Sequence, residues 1–171
     1  MFDVREYQRR FWQELTRLRV DIYYLFLYQI HQEKRERCLN MFLAVASNGS
    51  IATWAIWGEW PFVWAIIIAG SQLVNAIKPY LPHQQRIRAI SATTRELEEL
   101  ALYGEHKWYA ISEGQLTNEE IHEEFIKLRR GEVKAEQTHF GPSPLPQRKA
   151  LVKEAEVQAR TYFRAMYGLT E

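Results

Sequence analysis

The sequence has little with which to do covalent or redox chemistry. Its 171 residues include one cysteine, Cys38, which excludes an intrachain disulfide and a cysteine-rich metal site. Aspartate occurs only as Asp3 and Asp21, which weakens any enzyme built on a carboxylate pair. The five histidines, His31, His83, His106, His122 and His139, show neither HExxH nor another metal-ligand spacing. There is no phosphate-cradling GxxxxGK, no GxGxxG and no GxSxG nucleophile elbow. Neither sign of charge dominates: 22 Lys and Arg face 21 Asp and Glu, for a net charge of +1. That balance excludes a strongly basic nucleic-acid binder and an acidic tail protein. No strand signal of any length and no internal repeat occur. The expectation is a protein that is not an enzyme, with no cofactor, no metal and no nucleic-acid partner.

What is there is unevenly distributed. Hydrophobic residues make up 47% and aromatics 13%, too many for a wholly disordered chain. The mean hydropathy of −0.38 reads as soluble. The average conceals a partition, because residues 38–77 carry a single charge, Glu59, while the other 131 residues carry 42. The run Cys38–Trp57 has 20 uncharged residues. As a helix it would span about 30 Å, which matches a bilayer hydrocarbon core. The run Trp60–Ile77 has 18 uncharged residues. Gly58, Glu59 and Pro61 between them are turn and helix-start residues, so the pattern predicts a tight helical hairpin. Trp54, Trp57, Trp60 and Trp64 cluster near its tip, as an interfacial aromatic belt would. The plain alternative is a pair of buried helices in a soluble bundle, but such helices usually keep a polar stripe. Here Asn40, Ser47, Asn48, Ser50 and Thr53 scatter around the first run.

Lys34, Arg35 and Arg37 precede the first span, Lys78, Arg86 and Arg88 follow the second, and the tip has neither Lys nor Arg. The positive-inside rule then places both termini in the cytoplasm. Met1 is followed at once by a charged stretch, so no cleavable signal is expected.

The flanks read as amphipathic helices. Phe11, Leu15, Leu18, Ile22, Leu25 and Gln29 step by three and four, a heptad-like seam within a helix from Val4 to Glu33. That helix continues into the first span as one rod, or with a slight break near residues 31–37. Pro79 and Pro82 end or kink the second span. A return helix resumes near His83, with Ile87, Ile90, Thr94, Leu97 and Ala101 in phase, and runs to about Glu113, with Gly114 as its stop. The hairpin lets it pair antiparallel with the N-terminal helix. Thr117 and Glu120 form a capping box for a helix ending near Arg130, before Gly131. Residues His139–Pro146 read as a Pro-rich connection. A last helix, Gln147–Tyr167, puts Leu151, Ala155, Gln158, Tyr162 and Met166 on one side, with Ala159 and Phe163 extending it. The segments are thus 1–37, the hairpin 38–77, the return and capped helices 78–140, and the connection with the C-terminal helix 141–171. The expected fold is all-α: a two-helix transmembrane hairpin with long amphipathic cytoplasmic helices on both sides.

Polar side chains at membrane depth are costly and usually face protein or water. Asn40, Asn48, Gln72 and Asn75 are therefore either interhelical hydrogen-bond glue or pore lining, and the two roles are compatible. Ala46 with Ser50, and Ala65 with Ala69, are small-residue pairs that permit close helix packing. Two helices cannot enclose a pore, so conduction would need a homo-oligomer. Glu59 would then ring its outer mouth, whereas its plain reading is a lone turn glutamate. Cys38 reads as a buried thiol, or as a palmitoylation site. The His122-Glu123-Glu124 stretch reads as solvated surface.

The order of elements resembles the SLATT group of bacterial two-transmembrane proteins. Glu113-Gly114-Gln115-Leu116-Thr117-Asn118-Glu119-Glu120-Ile121 is similar to that group's post-membrane region, and Ala155–Phe163 resembles its terminal helix. The resemblance implies a pore-forming effector of antiviral or conflict systems at the inner membrane. It also implies a nucleotide-sensing or nucleotide-making partner protein. It brings no catalytic residues. The other reading is a non-conducting membrane-anchored adaptor whose cytoplasmic helices dock a partner.

Overall fold

A computed structural model describes residues 4–52, 61–77, 83–141 and 145–168. Among these residues every regular element is an α-helix: α1 (Val4–Ala52), α2 (Pro61–Ile77), α3 (His83–Ser112), α4 (Asn118–Phe140) and α5 (Lys149–Tyr167). The chain divides into two compact units, one of residues 1–29 and 86–171, the other of residues 30–85. α1 belongs to both and runs without a break through residues 31–37. No Gly or Pro interrupts it between Val4 and Asn48.

The first unit is built on the heptad-like seam. Phe11 and Leu15 are fully buried, and Leu18, Ile22 and Leu25 nearly so. Each such side chain contributes roughly 1.5–3 kcal/mol through the apolar area it removes from water. On α3 the in-phase Ile90, Thr94, Leu97 and Ala101 are buried in turn. The Gln8 side chain donates to the Ile111 carbonyl at 2.8 Å, and Leu15 packs on Gly104, so α3 runs antiparallel to α1. α4 reverses direction again, as Gly131 against Leu100 and Gly104 against Leu128 require. α5 returns alongside α1: Trp12 meets Phe163 at 5.0 Å and Tyr167 at 5.3 Å, while the Tyr24 hydroxyl donates to the Pro146 carbonyl at 2.7 Å. The result is an up-down-up-down arrangement of four helices.

Helix ends follow local chemistry. The Thr117 hydroxyl accepts from the Glu120 amide, and the Glu120 carboxylate accepts from the Thr117 amide at 2.7 Å, completing the expected capping box. The Thr117 amide first, and then the Thr117 hydroxyl donating at 2.8 Å, hold the Glu120 carboxyl below its usual range. Gly114 and Gly168 follow their helices with φ of 70° and 62°, left-handed backbone that glycine adopts without a Cβ clash.

Three expectations fail here. α4 does not stop before Gly131 but continues to Phe140, taking in His139 as well. A Cβ at Gly131 would lie 2.8 Å from Leu100 Cδ1, so this glycine serves helix–helix contact instead of termination. On α5 the buried face is Ala155, Ala159 and Phe163, and Met166 is 63% exposed. The small alanines let α5 approach closely and so define the inner face. Glu124, read as solvated, is buried together with Glu132.

Candidate functional site

In the second unit, α1 carries Asn40, Ala46, Asn48 and Ser50, and α2 carries Trp64, Ala65, Ala69, Gln72 and Asn75. Asn40, Ala69 and Gln72 are exposed. The side chains of Ala46, Asn48, Ser50, Trp64, Ala65 and Asn75 fall outside what the structure describes, as do Trp54, Trp57, Glu59 and Trp60 altogether. Neither the aromatic belt nor the pore-mouth glutamate is therefore located by the described residues. Cys38 is exposed, which overturns the buried-thiol expectation: it lies on α1 beside the exposed Arg37 instead of facing a core.

Several large apolar side chains of this unit are exposed. Phe62 is 76% exposed, Ile66 57% and Leu73 62%, whereas Ser71 is buried. On α1, Met41 and Phe42 are exposed while Leu43 is buried. Phe62, Ile66, Ala69 and Leu73 recur at helical spacing, so α2 presents one continuous apolar face outward. Among the described residues, no helix is both long and apolar enough to cross a membrane. α2 has 17 described residues, about 26 Å of helix. α1 covers the first 15 residues of the Cys38–Trp57 run.

The first unit holds charge in and beside its core. Arg19 and Glu105 form an ion pair whose side chains are 10% and 12% exposed. Tyr162 joins them: its hydroxyl accepts from Arg19 at 3.0 Å and donates to Glu105 at 2.9 Å, and the guanidinium lies 4.2 Å above its ring. Burial, and then the bond to Glu105, push the Tyr162 hydroxyl up to about 12. A second cluster links α1 to α4. Arg17 donates to Glu14 at 2.7 Å and to Glu132, and reaches Asp21 only at 3.5 Å, while Arg129 lies 3.4 Å from Glu14. Burial raises the Glu132 carboxyl. Burial also lifts the Asp21 carboxyl to about 6, helped by the neighbouring charges of Glu132, Glu136 and Glu14. Next to this cluster a cavity of about 330 Å³ opens between α1, α3, α4 and the segment leading to α5.

No protein-family model, curated protein or solved structure matches the chain.

Sequence reasoning missed these clusters because their members lie far apart in the chain. Arg17 and Glu132 are separated by 115 residues. The only sequence signal was a charge in phase with an apolar face, as Glu124 and Glu132 are with Ile121 and Leu128. Among the described residues, no three His, Cys, Asp or Glu side chains come together as a metal site.

Proposed function

We propose that residues 38–77 form a hairpin across the bacterial inner membrane, with both termini cytoplasmic, and that several copies assemble into a membrane-disrupting pore. As the resemblance to the SLATT group implies, the protein would act as an effector in an antiviral or conflict system. It would be triggered through a nucleotide-sensing or nucleotide-making partner. The reading assigns it no catalytic role. The observation that carries it is the outward apolar face of α2, with Phe62, Ile66 and Leu73 exposed and Ser71 turned inward. In water such a face is a liability; against lipid tails it is the stable arrangement. The 17 described residues of α2 sit at the short end of spanning lengths, which local bilayer thinning accommodates at modest cost. Exposed Gln72 on the same helix supports assembly, since an amide at membrane depth is stabilised by a partner helix or an aqueous path.

The test has two stages. The full chain should remain in the membrane fraction after alkaline carbonate extraction, and in liposomes it should release a trapped dye. Gln72→Leu and Asn48→Leu should weaken release without loss of protein. Extraction into the carbonate supernatant refutes the spanning hairpin. Membrane retention with no release under any trigger refutes the pore.

A non-conducting adaptor is supported by a different feature. The first unit exposes Leu102 at 61%, Tyr109 at 69% and Val157 at 60%, large apolar side chains that suit partner docking. Exchanging both spans for an unrelated hairpin preserves function under this reading and abolishes it under the first.

A further inference from the structure

We infer that the cavity in the first unit binds a small organic cation, an ammonium or guanidinium group carried on an apolar chain. The inference is independent of the membrane reading. The cavity, about 330 Å³, is of ligand size. Its apolar wall is Leu25, Leu97, Phe140 and Leu145, and its carboxylates are Asp21 and Glu136. The wall is held in place by Tyr24, which also lines the cavity. The Tyr24 hydroxyl donates to the Pro146 carbonyl and accepts from the Arg148 amide at 3.2 Å, tying the segment that bears Leu145 to α1.

The charge around the cavity is unbalanced. Arg17 gives its closest contacts to Glu14 and Glu132, and Arg129 goes to Glu14. Glu14 and Glu132 thus occupy both guanidinium groups, and neither of these two carboxylates lines the cavity. Asp21 is left with one 3.5 Å contact to a shared cation, and no ion pair to Glu136 occurs among the described residues. A cation entering the cavity lies between the half-buried Asp21 and the exposed Glu136, and the partial burial of Asp21 strengthens its attraction relative to bulk water. The apolar wall then selects its chemistry. A hydrated metal ion gains nothing from Leu25, Leu97 and Phe140, whereas an alkyl chain is driven against them. Among the described residues no three His, Cys, Asp or Glu side chains gather to supply the charged ligands a hard divalent cation prefers.

Calorimetric titration of the purified full chain in detergent, at neutral pH and physiological salt, tests this with spermidine and hexylamine as probes. Hexanol and magnesium chloride serve as neutral and inorganic controls. Saturable binding of an amine, one per chain, is expected, with hexanol and magnesium silent. Asp21→Asn and Glu136→Gln should each weaken it roughly tenfold or more. Leu145→Trp fills the cavity without altering its charge, and should abolish binding while circular dichroism shows the helices retained. Absence of amine binding up to millimolar concentration, equal binding by the charge variants, or magnesium binding as well as the amines would each overturn the inference.

Discussion

The Arg19–Glu105–Tyr162 cluster gives a sharp test of how the first unit is held together. Arg19 lies on α1, Glu105 on α3 and Tyr162 on α5, so one guanidinium joins three helices. In Arg19→Met the stem still fills its space, but the charge and two contacts vanish. The Glu105 carboxylate, 12% exposed, keeps the Tyr162 hydroxyl as its one remaining partner among the described residues. Leaving a nearly buried charge uncompensated costs about 3–5 kcal/mol. For a unit of this size each kcal/mol moves the melting temperature by roughly 3–6 °C, so a fall on the order of 10–25 °C is expected. The double variant Arg19→Met/Glu105→Gln removes both charges together. Because desolvation offsets most of the attraction in a buried pair, it should melt within about 5 °C of the wild type. Thermal unfolding of the detergent-solubilised full chain, followed by circular dichroism, measures all three. If the single variant melts within a few degrees of wild type, or the double variant is as unstable as the single, the cluster is not an electrostatic clamp and the reasoning fails.

Two further outcomes follow from the same unit. Gly104→Ala adds a methyl 2.9 Å from Leu15 Cδ1 and 3.3 Å from Leu128 Cδ2, both fully buried on other helices. Overpacking of about 1–3 kcal/mol should outweigh the gain of up to ~1 kcal/mol in helix propensity, and denaturant melts should show net loss. Asp21 has a folded pKa near 6, above its unfolded value, so its ionisation costs stability as the pH rises from about 4 through 6. Asp21→Asn should therefore raise the melting point at pH 7 and change it little near pH 4. The gain should be ~1 kcal/mol or less, because the side chain is 40% exposed and water screens the repulsion.

How much was legible depended on whether the signal was local. The α1 seam, the α3 repeat, the Thr117 capping box and the stop at Gly168 could all be read directly, since each rests on neighbours within one or two helical turns. Gly131 and Met166 were misread for the opposite reason. A glycine ends a helix or lets two helices touch according to what lies across from it, and Leu100, thirty-one positions earlier, lies across from Gly131. Met166 is in phase with the apolar face of α5, but Ala155, Ala159 and Phe163 turn that face so that Met166 points outward.

The amino-acid order alone determined that the protein is helical, that residues 38–77 carry a single charge, Glu59, and which seams need a partner. These follow from periodicity, capping and the energetic cost of placing charge in an apolar run. Only the tertiary structure decided which helix meets which seam, that Arg19 and Glu105 share one buried contact, and that Asp21 and Glu136 line one cavity. Those are encounters between residues distant in the chain. Their free energy comes from three-dimensional exclusion of water, on which sequence spacing is silent.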